Sequence, residues 1–265
     1  MIENLHETEI LGERRERILT TLTADGFVTI DELAKSFGCS AQTVRRDLIA
    51  LEAAGLVKRF HGGAGLPGLA ARPSYGEKRE AHPSDKRAIA AAAVRLMARG
   101  DVVYLDTGTT LEAVAQELAE AAEAGRLADV RVVCGSINAA SVLAGKPGLR
   151  VEILPGEIHT PDGAITGEAA AALGGLRLDH AFIGVSAFDA TGAPWDFDPA
   201  KIAVKQAALA AAHNGWVLAD ASKFTRTARR RICRAADLTG LITNQRPPAA
   251  LTDALDAAGC SIVLG

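Results

Sequence analysis

Ser40-Ala41-Gln42-Thr43-Val44-Arg45-Arg46-Asp47-Leu48 is the stretch that indicates how the N-terminal part of this chain folds. Ser40 predicts the start of a helix, because its hydroxyl can accept a hydrogen bond from a backbone N–H one turn later. Gly55 predicts the end of that helix, because glycine readily takes the left-handed conformation that follows the last turn. Val44, Leu48 and Leu51 are spaced i, i+4 and i+7, so they share an apolar face.

Polar side chains occupy the other side of this predicted helix. At about 100° per residue, Gln42 and Arg46 point away from the apolar face, and Thr43 and Arg45 flank it. Gln and Arg are the side chains that make bidentate contacts with adenine and guanine edges in the major groove of DNA. The helix can therefore pack with one side and read bases with the other. An ordinary amphipathic surface helix with two solvated arginines explains these nine residues equally well.

The sequence before this stretch favours the DNA-reading interpretation. Residues 29–38 predict a short helix with apolar residues at helical spacing, and Gly38-Cys39 predicts a tight turn after it. Two short helices joined by a turn that contains glycine form a helix-turn-helix unit, in which the second helix reads DNA. Residues 13–24 predict an earlier supporting helix, with its arginines on the side away from Ile18 and Leu22.

The sequence after this stretch predicts a β wing. Residues 56–63 alternate apolar and basic side chains and end in glycines, and residues 27–30 predict a short strand that pairs with the wing. Lys58, Arg59 and His61 are then expected to reach DNA phosphates, which are contacts that position a protein on the duplex.

These residues together resemble the N-terminal signature of DeoR-type bacterial transcriptional repressors. The resemblance is carried by residues 41–48, by Leu51-Glu52 and Gly55-Leu56, and by residues 59–64. It implies a winged helix-turn-helix domain that binds double-stranded operator DNA. The residues expected to contact DNA are Ser40, Gln42, Thr43, Arg45, Arg46, Lys58, Arg59, His61 and Gly62.

Composition sets limits on the whole chain. The formal charge of its 265 residues is −3, and the first 65 residues carry eight Lys and Arg against ten Asp and Glu, which counts mildly against nucleic acid. The four cysteines lie far apart, so no metal site, disulfide framework or cofactor is expected. With no membrane-length apolar run and no signal peptide, the chain is expected to be cytoplasmic, with no membrane partner.

The second part of the chain predicts an α/β domain with a mostly parallel sheet. Short apolar runs alternate with helical patterns, as in sheets whose strands are joined by crossover helices. The predicted organisation is a winged helix-turn-helix domain over residues 1–62, a Gly- and Pro-rich linker over 63–82 and a sensor domain over 83–265. The apolar runs cover residues 102–105, 130–134, 151–154, 181–185, 216–219, 240–243 and 261–264.

A polar loop follows the first of these runs. Residues 106–110, Asp-Thr-Gly-Thr-Thr, lie directly before a predicted helix, whose free N–H groups attract a phosphate. Many Gly- and Thr-rich turns bind nothing, so this loop alone favours no ligand. Two lysines follow later in the chain: Lys223 just past a later strand, and Lys205 on a later helix. The simplest interpretation of each lysine alone is a solvated surface charge. Together with the loop they can neutralise one phosphate dianion.

The second half also resembles the DeoR-type sensor domain. The similarity rests on residues 106–110, 166–168, 179–184, 204–205 and 220–224. It implies a fold related to ribose-5-phosphate isomerase and a phosphorylated sugar or polyol as inducer. Residues 112–115, 162–169 and 196–198 look most like the glycerol-3-phosphate repressor branch. The expected effector-binding residues are Asp106, Thr107, Gly108, Thr109, Thr110, Asn138, Lys205, Asp220 and Lys223.

One segment departs from the family pattern. Where relatives usually carry Val-Thr-Asn, this chain has Val133-Cys134-Gly135, so a hydroxyl and an amide are lost from the rim of the expected pocket. Cys134 is either a redox-sensitive thiol or a buried, inert cysteine, and the second interpretation is favoured.

The leading hypothesis is a ligand-controlled repressor without enzyme activity. A homodimer or homotetramer places two reading helices on a palindromic operator. The inducer favours a conformation in which the spacing of these helices no longer matches the operator half-sites. A sugar-phosphate isomerase with a DNA-binding appendage is the alternative, for which Asp189, Asp196 and Asp198 are the nearby candidate bases. A transcriptional activator is a third possibility, because the sequence does not set the sign of regulation.

Overall fold

In the computed structural model, residues 2–25, 27–60, 63–66, 75–159 and 162–265 are described. They divide into two compact units between Lys78 and Arg79. Up to Leu66, the described residues of the N-terminal unit form α1 (Ile2–Asp25), β1 (Phe27–Thr29), α2 (Ile30–Phe37), α3 (Ala41–Ala53), β2 (Lys58–Phe60) and β3 (Gly63–Gly65). These strands pair as a small antiparallel sheet in the order β1-β3-β2.

Local signals set the ends of α2 and α3 as the sequence predicted. Thr29 accepts from the backbone N–H of Glu32, and the Glu32 carboxylate accepts from the backbone N–H of Thr29, which is a complete capping box. Gly38 ends α2 in the left-handed conformation with φ +60°. Ser40 caps α3 by accepting from the backbone N–H of Thr43, and Gly55 follows α3 with φ +71°. Helix α1 differs, because it begins at Ile2 and not near residue 13.

The core of the N-terminal unit confirms the predicted apolar face of α3. Val44, Leu48 and Leu51 are buried against apolar residues of α1 and α2, such as Leu22 and Leu33. This packing turns the opposite face of α3 toward solvent.

Strand β3 corrects the predicted start of the linker. Gly63–Gly65 pair with β1 and with β2, so the residues that open the predicted 63–82 linker belong to the wing sheet. Further along the same predicted linker, Tyr75–Glu80 form a helix, α4. The Gly- and Pro-rich composition of this segment predicted neither β3 nor α4. For β3 the reason is that strand pairing depends on residues distant in sequence.

The C-terminal unit contains a seven-stranded sheet in which every pairing is parallel. The strands after β3 are β4 (Val102–Leu105), β5 (Val130–Cys134), β6 (Leu149–Ile153), β7 (Glu157–His159), β8 (Ala164–Thr166), β9 (Leu178–Gly184), β10 (Ala187–Phe188), β11 (Pro194–Asp196), β12 (Ala212–Leu218), β13 (Arg230–Arg231), β14 (Gly240–Thr243) and β15 (Ser261–Leu264). The seven-stranded sheet has the order β15-β14-β12-β9-β4-β5-β6, and each of the seven predicted apolar runs overlaps one of these strands.

Helices cover both faces of this sheet. Alternate residues of β4 show the two faces, because Val103 and Leu105 join one hydrophobic cluster whereas Tyr104 joins the other. The helices after α4 are α5 (Pro83–Arg95), α6 (Thr109–Glu123), α7 (Ile137–Leu143), α8 (Ala169–Leu173), α9 (Pro199–Ala211) and α10 (Ala249–Ala257). Apolar residues of α5, α6 and α7 belong to the first cluster, and those of α8, α9 and α10 belong to the second.

Parallel pairing brings the carboxyl ends of all seven strands to one edge of the sheet, where ligands of such folds bind. The loops that begin at Asp106, Gly135 and Asp220 therefore open at that edge. In the part of the chain that the structure describes, no helix is both long and apolar enough to cross a membrane.

Candidate DNA-reading and effector sites

The outer face of α3 carries the side chains that the sequence predicted for base reading. Gln42, Arg45 and Arg46 are exposed, whereas Thr43 is half-buried. The Ser40 hydroxyl lies 3.1 Å from the backbone nitrogen of Thr43 and 2.9 Å from its hydroxyl, so it serves the start of the helix. The side chains that can reach a base edge are thus presented by a helix with a fixed beginning.

Asp47, on the inner side of the same helix, is a contact that the sequence analysis missed. Its side chain is 1% exposed and accepts from Nε of Arg14 at 2.6 Å and from Nε of Arg15 at 3.2 Å. The hydrogen bond from Arg14 to Asp47 raises the pKa of Arg14. These two arginines therefore anchor α1 to α3. A sequence signal existed, because Asp47 stands three residues after Val44 and four before Leu51, on the apolar face.

The wing residue Arg59 contacts the end of α3. Its backbone nitrogen lies 2.9 Å from Oε1 of Glu52 and its Nε lies 2.6 Å from Oε2. These hydrogen bonds, the backbone one first, lower the pKa of Glu52. Arg59 thus ties β2 to α3, and its predicted phosphate contact stays a prediction, as does that of the exposed Lys58. His61 and Gly62 lie outside the described residues.

The Thr-rich loop lies where the sequence placed it, between β4 and α6. Gly108 precedes α6 with φ +124°, a conformation that side-chain-bearing residues rarely adopt. Thr107 and Thr110 are buried and Thr109 is half-buried. The hydroxyl of Thr107 lies 3.4 Å from the carbonyl oxygen of Asp162. The loop leads directly into the N-terminal end of α6, where the helix dipole favours negative charge.

Lys205 and Asp106 form a buried network beneath this loop. Nζ of Lys205 donates to Oδ2 of Asp106 and, over 2.8 Å, to the carbonyl oxygen of Gly184, and it lies 3.6 Å from Oδ2 of Asp196. The lysine side chain is 2% exposed. Burial acts to lower the pKa of Lys205, but the charges of Asp106 and Asp196 outweigh burial and raise it.

This network bears on the role predicted for two residues. A lysine held by two carboxylates brings no net positive charge to a phosphate, so the network does not favour Lys205 as a phosphate contact, and its effector role stays a prediction. Asp106, which also accepts from the backbone N–H of Gly184 at 3.0 Å, likewise serves the protein framework.

A second polar group connects α6, α7 and α9. Nδ2 of Asn138 lies 3.1 Å from Oε1 of Glu112 and 3.2 Å from the carbonyl oxygen of Asp162. Nζ of Lys201, which the sequence analysis did not select, pairs with the Asp162 carboxylate. Asn138 and Thr107 thus meet at the backbone of Asp162, which brings two predicted effector residues together.

Lys223 lies in a short 3-10 turn that follows β12. Asp220 begins the turn and accepts from the backbone N–H of Ser222 at 2.9 Å. Burial acts to raise the pKa of Asp220, but the hydrogen bonds from Ser222 and the charge of Lys223 outweigh it and lower the pKa. For Lys223 itself, burial and then the charge of Arg226 lower the pKa to about 8.

Two further cations lie close to Lys223 and were missed by the sequence analysis. Lys86 on α5 is buried, donates to the carbonyl oxygen of Ala81 at 2.6 Å, and contributes to lowering the pKa of Lys223. Burial lowers the pKa of Lys86, against the charges of Asp220 and Glu112. Arg226 follows Lys223 by three residues. We call Lys86, Lys223 and Arg226 the cation cluster. Only contact across the fold reveals it, because Lys86 stands 137 residues before Lys223.

The departure at Val133-Cys134-Gly135 has a steric explanation. Cys134 is fully buried, and burial raises the pKa of its thiol to about 12, which agrees with the inert interpretation. A Cβ atom placed on Gly135 would lie 2.3 Å from the hydroxyl oxygen of Tyr104. The Tyr104 ring thus occupies the space next to Gly135, and its hydroxyl lies 3.3 Å from Oδ1 of Asp106.

The carboxylates that an isomerase would need as a base have structural roles. Asp189 accepts from the Thr191 and Ala193 backbone and from the Trp195 indole over 2.8–3.1 Å. Asp198 caps α9. Asp196 accepts from the Ser186 hydroxyl at 2.8 Å, besides facing the buried lysine. Within the described ranges, no three His, Cys, Asp or Glu side chains group as a metal site.

Comparisons with known proteins cover both units. A family profile described as DeoR-like helix-turn-helix domain matches residues 14–68, and one described as DeoR C terminal sensor domain matches residues 81–245. The chain is 31% identical over 259 residues to the HTH-type transcriptional repressor CsqR of Escherichia coli K12, covering 97% of each. It is 30% identical over 244 residues to the glycerol-3-phosphate regulon repressor of the same organism, covering 92% of this chain and 94% of the relative.

Among solved structures, ribose 5-phosphate isomerase A of Methanocaldococcus jannaschii aligns with 53% of this chain and 54% of its own, at 22% identity and a TM-score of 0.40.

Proposed function

The chain belongs to the DeoR family of transcriptional regulators, and from this membership we propose that it represses a carbohydrate or glycerol catabolic operon until a phosphorylated sugar or polyol releases it. The observation that carries the effector half is the cation cluster at the carboxyl edge of the parallel sheet. The observation that carries the DNA half is the exposed face of α3.

The reading face supports direct contact with base edges. Gln42 and Arg46 project from a helix whose start is capped and whose inner side is anchored through Asp47. Such anchoring holds the reading side chains at a defined depth in the major groove, which bidentate contacts require. We assign Gln42, Arg45 and Arg46 to base contact, and the N-terminal end of α3 with the wing to phosphate contact.

The effector site supports an anion. Burial lowers the pKa of Lys86, and burial followed by the charge of Arg226 lowers that of Lys223, so a bound dianion stabilises the charged form of both lysines. The backbone N–H groups at the start of α6 add a second set of donors that favour negative charge. We therefore assign the phosphoryl group to Lys223, Lys86, Arg226 and the loop at residues 107–110, with Lys205 and Asp106 as the supporting framework.

The remainder of the effector is assigned to the polar group around Asn138. Glu112, Asn138 and Asp162 supply hydrogen-bonding groups that suit hydroxyls of a sugar or polyol. Since two of the relatives named above are repressors, one of them of a glycerol-3-phosphate regulon, glycerol 3-phosphate is the first compound to test. An isomerase activity is not favoured, because Asp189, Asp196 and Asp198 are all engaged within the protein.

The protein is proposed to act in the cytoplasm as a homodimer or homotetramer. The oligomer is proposed because paired reading helices match a palindromic operator.

The test is a gel-shift titration of the full chain on a DNA duplex that the protein has selected from a random library. Glycerol 3-phosphate, other phosphorylated sugars and inorganic phosphate are then added separately. We expect one phosphorylated compound to weaken binding, whereas unphosphorylated glycerol does not. Binding that no phosphorylated compound alters would refute the effector half.

A further inference from the structure

One isoleucine lies on the exposed and otherwise polar face of α3. Ile49 is 50% exposed, although Val44, Leu48 and Leu51 on the inner side are buried. At about 100° per residue, Ile49 falls between Arg45 and Arg46 around the helix axis and one turn beyond them. It therefore belongs to the same surface as the side chains assigned to base contact.

We propose that Ile49 contacts the methyl group of a thymine in the major groove and thereby selects thymine at one position of each half-site. The proposal rests on the proposed function, because it requires α3 to lie in that groove. Among the base pairs of DNA only those with thymine present a methyl group there, and apolar side chains are the groups that recognise it.

The position of Ile49 along the helix fits a base next to the one that Arg46 reads. A rise of about 1.5 Å per residue places Ile49 about 4.5 Å beyond Arg46, little more than the spacing of about 3.4 Å between neighbouring base pairs. A charged phosphate makes no favourable contact with an isoleucine side chain. Contact between Ile49 and a thymine methyl group, in contrast, removes apolar surface of both partners from water. Burying one methyl group corresponds to about a fourfold gain in affinity.

The test uses uracil, which pairs like thymine and lacks only the methyl group. The full chain first enriches its binding sequence from a random duplex library. Each thymine of that sequence is then replaced in turn by uracil, and dissociation constants are measured for the wild type and for Ile49→Ala. We expect the wild type to lose about fourfold in affinity at one position of a half-site, and Ile49→Ala to bind both forms equally at that position.

Two control variants make the result specific. Ile153→Ala changes an isoleucine that is 51% exposed in the C-terminal unit, and it should keep the uracil effect in full. Thr43→Ser removes another methyl group from the outer half of α3, so it identifies any thymine that Thr43 contacts. Thermal unfolding verifies that each variant is folded, and Ile49→Val, which keeps an apolar side chain, should retain most of the effect.

The outcomes separate this proposal from the one on which it rests. A uracil effect that survives in Ile49→Ala, or an enriched sequence in which no thymine is sensitive, overturns the role of Ile49. Failure of the wild type to enrich any sequence refutes DNA binding itself.

Discussion

Replacing Gly135 with alanine is expected to destabilise the C-terminal unit by about 1–3 kcal/mol, the usual cost of an overpacked core. The added Cβ would lie 2.3 Å from the hydroxyl oxygen of Tyr104, 2.9 Å from its Cζ and 3.1 Å from its Cε2. Neither side can yield easily. Tyr104 is fully buried, and the backbone of Gly135 is held by hydrogen bonds of 2.8 Å to Leu105 and 2.9 Å from Ile165.

The assay is calorimetric unfolding of the full chain. For a domain of this size, the expected loss lowers the midpoint temperature by about 2–12 °C. Gly175→Ala is the matched control, because its Cβ would meet only the Ala172 carbonyl oxygen at 4.0 Å, and it should change stability by less than about 0.5 kcal/mol.

A double-mutant cycle shows whether Tyr104 is the cause. Tyr104→Leu removes the three nearest atoms, so it should cost less in the Gly135→Ala background than in the wild type, with a coupling of about 1–3 kcal/mol. Tyr104→Phe removes only the hydroxyl and leaves Cζ at 2.9 Å, so it should rescue less. Additive effects of the two substitutions would refute the steric argument.

Three further predictions follow from the sites. Asp47→Ala leaves Arg14 and Arg15 without their carboxylate and should destabilise the N-terminal unit by about 1–3 kcal/mol, measured by denaturant unfolding, whereas exposed Glu32→Gln should cost no more than about 1 kcal/mol. Arg46→Ala should weaken binding to the enriched duplex by about 1–3 kcal/mol while non-specific binding changes little, and an equal loss on both duplexes would contradict base reading. Effector affinity should fall as pH rises from 7 to 9, because the ammonium of Lys223, with a pKa of about 8, loses the charge that holds the phosphoryl group. In calorimetric titrations, the fall in effector affinity should approach about tenfold for each pH unit above 8. The Lys223→Met variant should bind the effector weakly and without this pH dependence, while still binding DNA. A pH dependence that persists in Lys223→Met would exclude that lysine as its cause.

Signals that are local in the sequence predicted much of the fold. The five inner strands of the sheet, β14, β12, β9, β4 and β5, appeared as apolar runs because inner strands of a parallel sheet are buried on both faces. The ends of α3 were predicted because capping at Ser40 and the left-handed Gly55 depend only on residues within one turn. The short strands β7, β8, β10, β11 and β13 carried no such signal, because two or three residues show no periodicity.

The site was less accessible to sequence reasoning because its energetics depend on pairs distant along the chain. Lys205 on a predicted helix and Lys223 just past a predicted strand both looked like solvated surface charges, yet the first faces two carboxylates and the second has Arg226 and Lys86 as well as Asp220 near it. Lys86 was given no role, since nothing nearby in sequence indicates its burial. The surroundings of each charge decide its role, and those surroundings form only on folding.

The buried trio of Lys205, Asp106 and Asp196 also restricts how this protein can evolve. Loss of Lys205 leaves two carboxylates without their cation in the interior, at a cost of about 3–5 kcal/mol against a typical total stability of about 5–15 kcal/mol. A change at Lys205 must therefore be accompanied by changes at both aspartates, whereas the exposed face of α3 can change one residue at a time. During evolution, the operator specificity of this protein can therefore change far more readily than the buried charges that support its C-terminal unit.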